Sequence, residues 1–266
     1  MVLKKTVAFG VFADPHYAHR PHDTERFFRN SLAKLQRCTE LFRQCQVDFL
    51  VCLGDLIDCS PDDGENARQL REVLEVLETV PAPLYLCMGN HDISAGVRTH
   101  CRKLPERYRD LARGCQSFDA GGMHFVILDT CYDERGAYYT PETLDWKRLY
   151  VDPKQLEWLR SDLKASGKRT IVFSHANLDP REKEGMMDPH VLVNHGDVRE
   201  ILENSCQVDL VLQGHCHAGY ESRINGIPYV TLKAMVDGPD QIPAMVVTCN
   251  LETRMNTMHF LQCVPF

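Results

Sequence analysis

Five places in this sequence set aspartate, histidine or asparagine at or just beyond the end of a short apolar run. Asp14-Pro15-His16 follows Val7–Ala13, and Gly54-Asp55-Leu56-Ile57-Asp58 follows Phe49–Leu53. Gly89-Asn90-His91-Asp92 follows Leu84–Met88, Ser174-His175 follows Thr170–Phe173, and Gly214-His215-Cys216-His217 follows Leu210–Leu212. Singly, each piece is ordinary: Gly-Asp after a strand is commonly a turn, and a lone histidine beside an apolar run is commonly a satisfied core residue. Five in succession are another matter. Imidazoles, carboxylates and one amide oxygen together suit borderline divalent ions such as Mn²⁺, Fe²⁺ or Zn²⁺ better than Ca²⁺ or Mg²⁺. Cys216 stands between two histidines, but in an extended turn its side chain points away from both neighbours and reads as structural.

Such groups meet only if the elements before them are aligned. The runs have the length of strands buried on both faces, and in open α/β sheets ligands gather outside the carboxyl ends of the strands. A further run, Phe125–Leu128, has the same character. Helical patterns lie between. Phe28, Leu32, Leu35, Leu41 and Phe42 fall near helical spacing after Thr24, read as an N-cap; Leu70, Val73, Leu74, Leu77 and Val80 form a stripe ended by Pro81. Pro153 opens a helix carrying Leu156, Leu159 and Leu163, and Val198, Ile201 and Leu202 mark another. Arg223–Leu232 with Asn225-Gly226 at its turn, Ala244–Leu251 and Arg254–Gln262 read as antiparallel strands. The expected fold is a single α/β domain over residues 1–266, with a mixed sheet or two stacked sheets flanked by helices.

Composition excludes several classes. A chain of 266 residues, 44% hydrophobic and 25% charged, is neither disordered nor collagenous. Thirty basic against 37 acidic residues leave a net charge of −7, the wrong sign for binding nucleic acid by neutralising many phosphates. Any positive charge offered to a phosphate must then come largely from elsewhere. No run is long enough to span a bilayer and no secretion signal opens the chain, so no membrane partner is expected. The twelve cysteines show no C-x-x-C pair, which argues against a zinc ribbon and for reduced thiols in a cytoplasmic protein.

The ordered set D-x-H, G-D-x-x-D, G-N-H-D, S-H and G-H-x-H resembles the calcineurin-like metallophosphoesterase superfamily over positions 14 to 217. That resemblance implies a pair of stacked mixed β-sheets between helices, a four-layer sandwich. It also implies two metal ions (Mn, Fe or Zn), one held by Asp14, His16, Asp55 and His217. The other would be held by Asp55, Asn90, His175 and His215, with Asp55 bridging. A water between the ions would be the nucleophile, and no serine or cysteine nucleophile is needed. His91 matches the family position facing the substrate, as general acid or charge stabiliser. Asp58 matches the carboxylate that orients that imidazole; a turn or helix-start aspartate is the other reading. Asp92 reads as structural.

Departures narrow the branch. Cys59-Ser60 stands where serine/threonine protein phosphatases carry Arg-Gly, and Ala176 stands near where many phosphodiesterase members carry proline. The segment Gly214–Tyr220 is similar to cyclic-nucleotide phosphodiesterases and to manganese-dependent ADP-ribose/CDP-alcohol pyrophosphatases, although the latter often carry glutamine at the position of His16. The expected activity is hydrolysis of a phosphodiester or phosphoanhydride in a small nucleotide-like substrate. The alternatives are a phosphomonoesterase and a non-catalytic scaffold; all seven ligand positions and His91 stand against the scaffold. Loop residues weighed as substrate contacts are His19, Arg20, His22, Arg98, His100, His190 and His195.

Overall fold

The apolar runs do become strands, and their alternation divides them between two buried faces. The structure is a computed structural model that describes residues 6–109, 111, 113–250, 252, 253 and 256–260. In chain order the strands are β1 Thr6–Phe12, β2 Phe49–Cys52, β3 Leu84–Leu86, β4 Gln116–Ala120, β5 Met123–Ile127 and β6 Thr170–Ser174. They continue with β7 Glu182–Lys183, β8 Met186–Met187, β9 Val208–Gln213, β10 Tyr220–Ile224, β11 Ile227–Thr231, β12 Met245–Asn250 and β13 Asn256–Phe260. The helices are α1 Asn30–Gln44, α2 Asp63–Leu77, α3 Asn90–Ser94, α4 Val97–Lys103, α5 Glu106–Arg109, α6 Pro153–Ser166 and α7 His195–Ser205.

One sheet has the order β13-β12-β1-β2-β3 and the other β10-β11-β9-β6-β5-β4, with β7 and β8 forming a small separate hairpin. β1, β2 and β3 run parallel, as do β5, β6, β9 and β11; the outer strands are antiparallel, so both large sheets are mixed. The two sheets stack. Phe9, Phe49, Phe125 and Phe173 meet between them, with Phe9 4.9 Å from Phe49, 5.7 Å from Phe125 and 5.5 Å from Phe173. Alternate residues of the same strands, such as Leu50, Cys52, Val126 and Val172, pack in the cluster that includes Phe42, Leu74, Leu159 and Leu202 from the helices. Among the described residues, no helix is long and apolar enough to cross a membrane.

Local chemistry sets the ends. Asp62 caps α2 by accepting from the Gly64 N–H at 2.9 Å, and Asp152 caps α6 ahead of Pro153. Asn225 and Gly226 have φ of 49° and 86°, the paired left-handed residues of a tight hairpin turn. One boundary is corrected. Thr24 does not cap a helix; α1 begins at Asn30, because Thr24 sits in a turn closed by Asp23 and Arg26, and residues 25–27 pair with the segment after β11. There Phe27 donates to the Val236 carbonyl at 2.8 Å and Arg26 bridges Asp237. β4 escaped the pattern since Gln116, Ser117 and Asp119 make it polar, as suits an edge strand. Of the expected strand Arg254–Gln262, residues 254, 255, 261 and 262 lie outside the described residues, as does Leu251 of the strand before it.

Lys34 of α1 ties that last connection down. Its buried ammonium donates to the carbonyls of Met235 at 2.7 Å, Asp237 at 3.1 Å and Gly238 at 2.6 Å. The same segment donates from Met235 to Ala13 and from Val236 to Asp14, beside the first candidate ligand. Lys34→Met would leave three carbonyls without their donor, and is expected to cost about 3 kcal/mol of stability. A urea midpoint lowered at unchanged slope is the expected result.

Candidate metal centre

Residues after β1, β2, β3, β6 and β9 converge at one edge of the sandwich, and the backbone there is strained to do it. Among the described non-glycine residues, eight have positive φ; four of them are Asp14 at 51°, His16 at 43°, Asp55 at 53° and His215 at 68°. Holding a branchless turn geometry with a side chain attached costs on the order of 1–3 kcal/mol each, a cost seen mainly at functional sites. Crowding explains the preceding glycines. A Cβ on Gly54, itself at φ 107°, would strike the His175 ring, and one on Gly89 would strike Asp55. Gly214 lies against Asp14 and the Leu53 carbonyl in the same way.

The side chains form two adjoining groups. Asp14, His16 and His217 offer ligand atoms within 4.8 Å of one another, and so do Asp55, His175 and His215. Asp55 lies between the two: its Oδ2 is 3.4 Å from His16 Nε2 and 3.5 Å from His175 Nε2. Asn90 joins the second group, with Oδ1 3.0 Å from His175 Nε2. His175 Nδ1 donates to the Leu53 carbonyl at 2.8 Å, which fixes the tautomer and leaves Nε2 as a bare lone pair. His217 is likewise held by Asp237, Nδ1 to Oδ1 at 3.1 Å. His16 Nε2 and His217 Nε2 face each other at 3.1 Å.

Electrostatics prepare these groups for a cation. Burial, reinforced by neighbouring histidines, holds the pKa of His16 and His215 well below the usual imidazole range, so both are neutral. Burial lowers His175 as well. Burial and the Asp55 charge push Asp14 far above the usual carboxylate range, and push Asp92 up to about 7. Crowded carboxylates and neutral imidazoles are what a bound cation would relieve. Two buried nitrogens, His16 Nδ1 and His215 Nε2, also lack any hydrogen-bond partner. The donor set therefore fits divalent ions.

Asp92 supports the frame, accepting from the N–H groups of Asp55 at 2.8 Å, Gly89 at 2.9 Å and Leu56 at 2.9 Å. His91 is the second residue of α3, and its own N–H donates to Asp55 Oδ1 at 2.7 Å. Its ring is 28% exposed, 4.4 Å from the His16 ring, with Nδ1 2.8 Å from Asp58 Oδ1. Asp58 precedes α2 by several residues and caps no helix, so it stands as the partner of that imidazole. Burial pulls the His91 pKa down, but the Asp55 charge and the Asp58 hydrogen bond outweigh it and the net shift is upward. Geometry alone also groups His91 with His16 and Asp55.

Of the loop candidates, two reach this edge. Arg20 pairs with Asp58 Oδ2 at 2.5 Å, its guanidinium over the Phe28 ring, and His190 lies 4.8 Å from the His215 ring. The rest are engaged elsewhere: His19 with Glu65 and Glu72, His22 stacked on Phe27, Arg98 on Asp129 and His100 on Asp63. His195 opens α7, with its Nδ1 buried and unpartnered. Sequence reasoning missed Asp237, Asp188 and Arg26. Arg26, half-buried on the segment bridged to Asp237, lays its charge on His16 and His91. Asp188 and His190 group with Cys216, and Asp188 is already bonded to Arg181 and His190. Asp188-Pro189-His190 repeats the residue types of Asp14-Pro15-His16, a signal that could have flagged it.

Comparison with known proteins agrees with this architecture. The sequence pattern of the calcineurin-like phosphoesterases matches residues 7–219. A manganese-dependent ADP-ribose/CDP-alcohol diphosphatase of Arabidopsis thaliana is 24% identical, over 87% of each chain. A probable cyclic nucleotide phosphodiesterase of Pseudoalteromonas sp. (strain SM9913) is 34% identical over 70% of this chain and 61% of its own. Among solved structures, a dimetal phosphatase from Danio rerio superposes with a TM-score of 0.75 at 21% identity, covering 91% of this chain and 92% of that one.

Manganese added to chelator-treated protein is expected to raise its melting temperature in a concentration-dependent way, since ions that bind only the folded chain stabilise it. Asp55→Asn, which weakens the carboxylate shared by both groups, is expected to flatten that dependence. Metal content after gel filtration, measured by mass spectrometry, should fall in parallel. Wild-type occupancy in Asp55→Asn would remove Asp55 from the shared position.

Proposed function

The chain belongs to the calcineurin-like phosphoesterase family, and we propose that it hydrolyses a phosphodiester or phosphoanhydride bond in a small nucleotide-like substrate using two divalent metal ions. One observation carries the reading: two groups of imidazoles and carboxylates, buried except at His217, adjoin through Asp55, with His91 at their open side. In this reading one ion is held by Asp14, His16, Asp55 and His217, and the other by Asp55, Asn90, His175 and His215. The manganese dependence in the diphosphatase relatives' names supports manganese as one of the ions it uses, alongside iron or zinc as further choices. The free thiols of the eleven described cysteines support a reducing compartment, the cytoplasm.

When bound, the ions would neutralise phosphate charge and lower the pKa of water placed beside the phosphorus. The chain's own residues supply orientation and the proton. Asp58 accepts from His91 Nδ1 and so turns the other ring nitrogen toward the ion-binding groups. Arg20 holds Asp58 from behind, which fixes the carboxylate rotamer. The Asp58 carboxylate at Nδ1 favours the protonated imidazole, and His91 can deliver a proton to the leaving oxygen as the bond to phosphorus breaks. Arg26 adds positive charge felt by His16 and His91, which favours an anionic substrate. The relatives' printed activities, on ADP-ribose, CDP-alcohols and cyclic nucleotides, favour diester and anhydride bonds over monoesters.

Turnover of ADP-ribose, 3′,5′-cyclic AMP, bis(p-nitrophenyl) phosphate and p-nitrophenyl phosphate with Mn²⁺ tests the proposal. Preference for the monoester would replace it with a phosphomonoesterase, and no turnover under any divalent ion would replace it with a scaffold. His91→Ala is expected to lower kcat on ADP-ribose by on the order of 10²–10⁴ while metal content stays at the wild-type level. The loss should shrink for bis(p-nitrophenyl) phosphate, whose leaving group needs little protonation. Equal losses on both substrates would take the acid role from His91.

A further inference from the structure

The groups described so far handle phosphorus and leave the remainder of the substrate unaddressed. Beside the second ion-binding group stands Trp146, on the connection between Tyr139 and Leu149. It is 37% exposed, one of the few large apolar side chains open to solvent. Its ring centroid is 5.4 Å from that of His190 and 5.8 Å from that of His215, the latter at 81°. His190 in turn is fixed by Asp188, Nδ1 to Oδ1 at 2.6 Å, and Asp188 is fixed by Arg181 Nε at 2.9 Å. The tryptophan therefore leans on a braced imidazole at the rim of the site and keeps part of its surface in water.

The connection that carries it is built rather than loose. Tyr139 donates from its hydroxyl to the Arg148 carbonyl at 2.9 Å, and Arg148 N–H donates to the Asp145 carbonyl at 3.0 Å. Asp145 Oδ1 accepts from the Lys147 N–H at 3.1 Å, and Val193 N–H reaches the Leu149 carbonyl at 3.0 Å. Exposure alone would mean little; what singles Trp146 out is a large aromatic ring braced beside a candidate ligand histidine at the rim of a phosphate site. The Lys147 ammonium, 5.3 Å from the ring centroid, adds a cation at the same rim. A flat π surface and a cation next to a phosphate site match a nucleobase joined through its sugar to phosphate, since every base presents a face that stacks on an aromatic ring.

We propose that Trp146 is the stacking platform for the nucleobase of a nucleotide substrate, set at the His215 side of the site. The proposal rests on the hydrolase reading above and adds which end of the substrate lies where: base toward Trp146, reacting phosphate between the two groups. Trp146 is a binding residue and transfers nothing.

The chain has two tryptophans, Trp146 and Trp158, and Trp158 lies on α6 packed against the core. In a Trp158→Phe background, fluorescence reports Trp146 alone. Titration of the Mn²⁺-loaded protein with AMP is expected to quench that signal, and ribose 5-phosphate, the same phosphate without a base, is expected to leave it unchanged. Trp146→Ala should raise KM for ADP-ribose about ten-fold and raise it more than it lowers kcat, whereas Trp146→Phe should recover most of the affinity. Equal responses to AMP and ribose 5-phosphate, or an unchanged KM in Trp146→Ala, would overturn the platform and leave the hydrolase reading intact. Quenching by AMP in a protein that turns over no nucleotide would do the reverse.

Discussion

The buried carboxylate of Asp92 receives the backbone N–H groups of Gly89, Asp55 and Leu56, and through it the loops after β2 and β3 become one piece. The arrangement of the site depends on that junction. Asp55 is set by it, and Asp55 in turn lies between the two histidine groups and accepts the His91 N–H. A carboxylate accepting three backbone donors is ordinarily a strong acid. Here burial and the neighbouring Asp55 charge win and its pKa rises to about 7, so the site places two acids where they repel. Relief of that repulsion is a driving force for cation uptake, independent of any one ligand bond.

The strain follows from the same demand. Short side chains must reach a common point from five strand ends, so the chain turns abruptly at Asp14, His16, Asp55 and His215, and glycines 54, 89 and 214 clear the space. The surrounding core offsets this cost. The inner strands of each large sheet are buried on both faces, and the connection after β11 is fastened by Lys34 and by backbone bonds to Ala13 and Asp14. That connection also carries Asp237 to the ring of His217. A lysine on a helix far along the chain thus helps set one imidazole at the site.

Much of this was readable from residue types alone because the relevant signals are local. Each ligand candidate sits within a few residues of an apolar run, and strand length and ligand placement both follow from that spacing; all seven candidates meet at one edge. The adjacent Asn90 and His91 were separated in role by the family resemblance and not by their spacing; the structure sends one side chain to His175 and the other to Asp58. Asp237 and Arg26 were illegible for the opposite reason: each acts on a group far away in sequence, through tertiary contacts no short pattern encodes, whereas Asp188, bonded to His190 two residues on, lay in a short pattern that was there to read. The capping expectation at Thr24 failed on the same account, because pairing of residues 25–27 with the segment at 236–238 overrode a local preference. His100 and Arg98 show the converse error: they look like free loop cations in sequence and are committed to Asp63 and Asp129.

The candidate ligands divide between the two sheets. Asp14, His16, Asp55 and Asn90 follow strands of one sheet, while His175, His215 and His217 follow strands of the other. Each group therefore draws on both, and the gap between the sheets is also the gap across which each ion would be gripped. What sets that gap is the stack of Phe9, Phe49, Phe125 and Phe173, at centroid spacings of 4.9 to 6.2 Å. Interiors packed this densely resist compression and pass small changes of volume along. The phenyl rings act as a gauge block: deep in the sandwich and far from any phosphate, they fix the bite of the site at its rim.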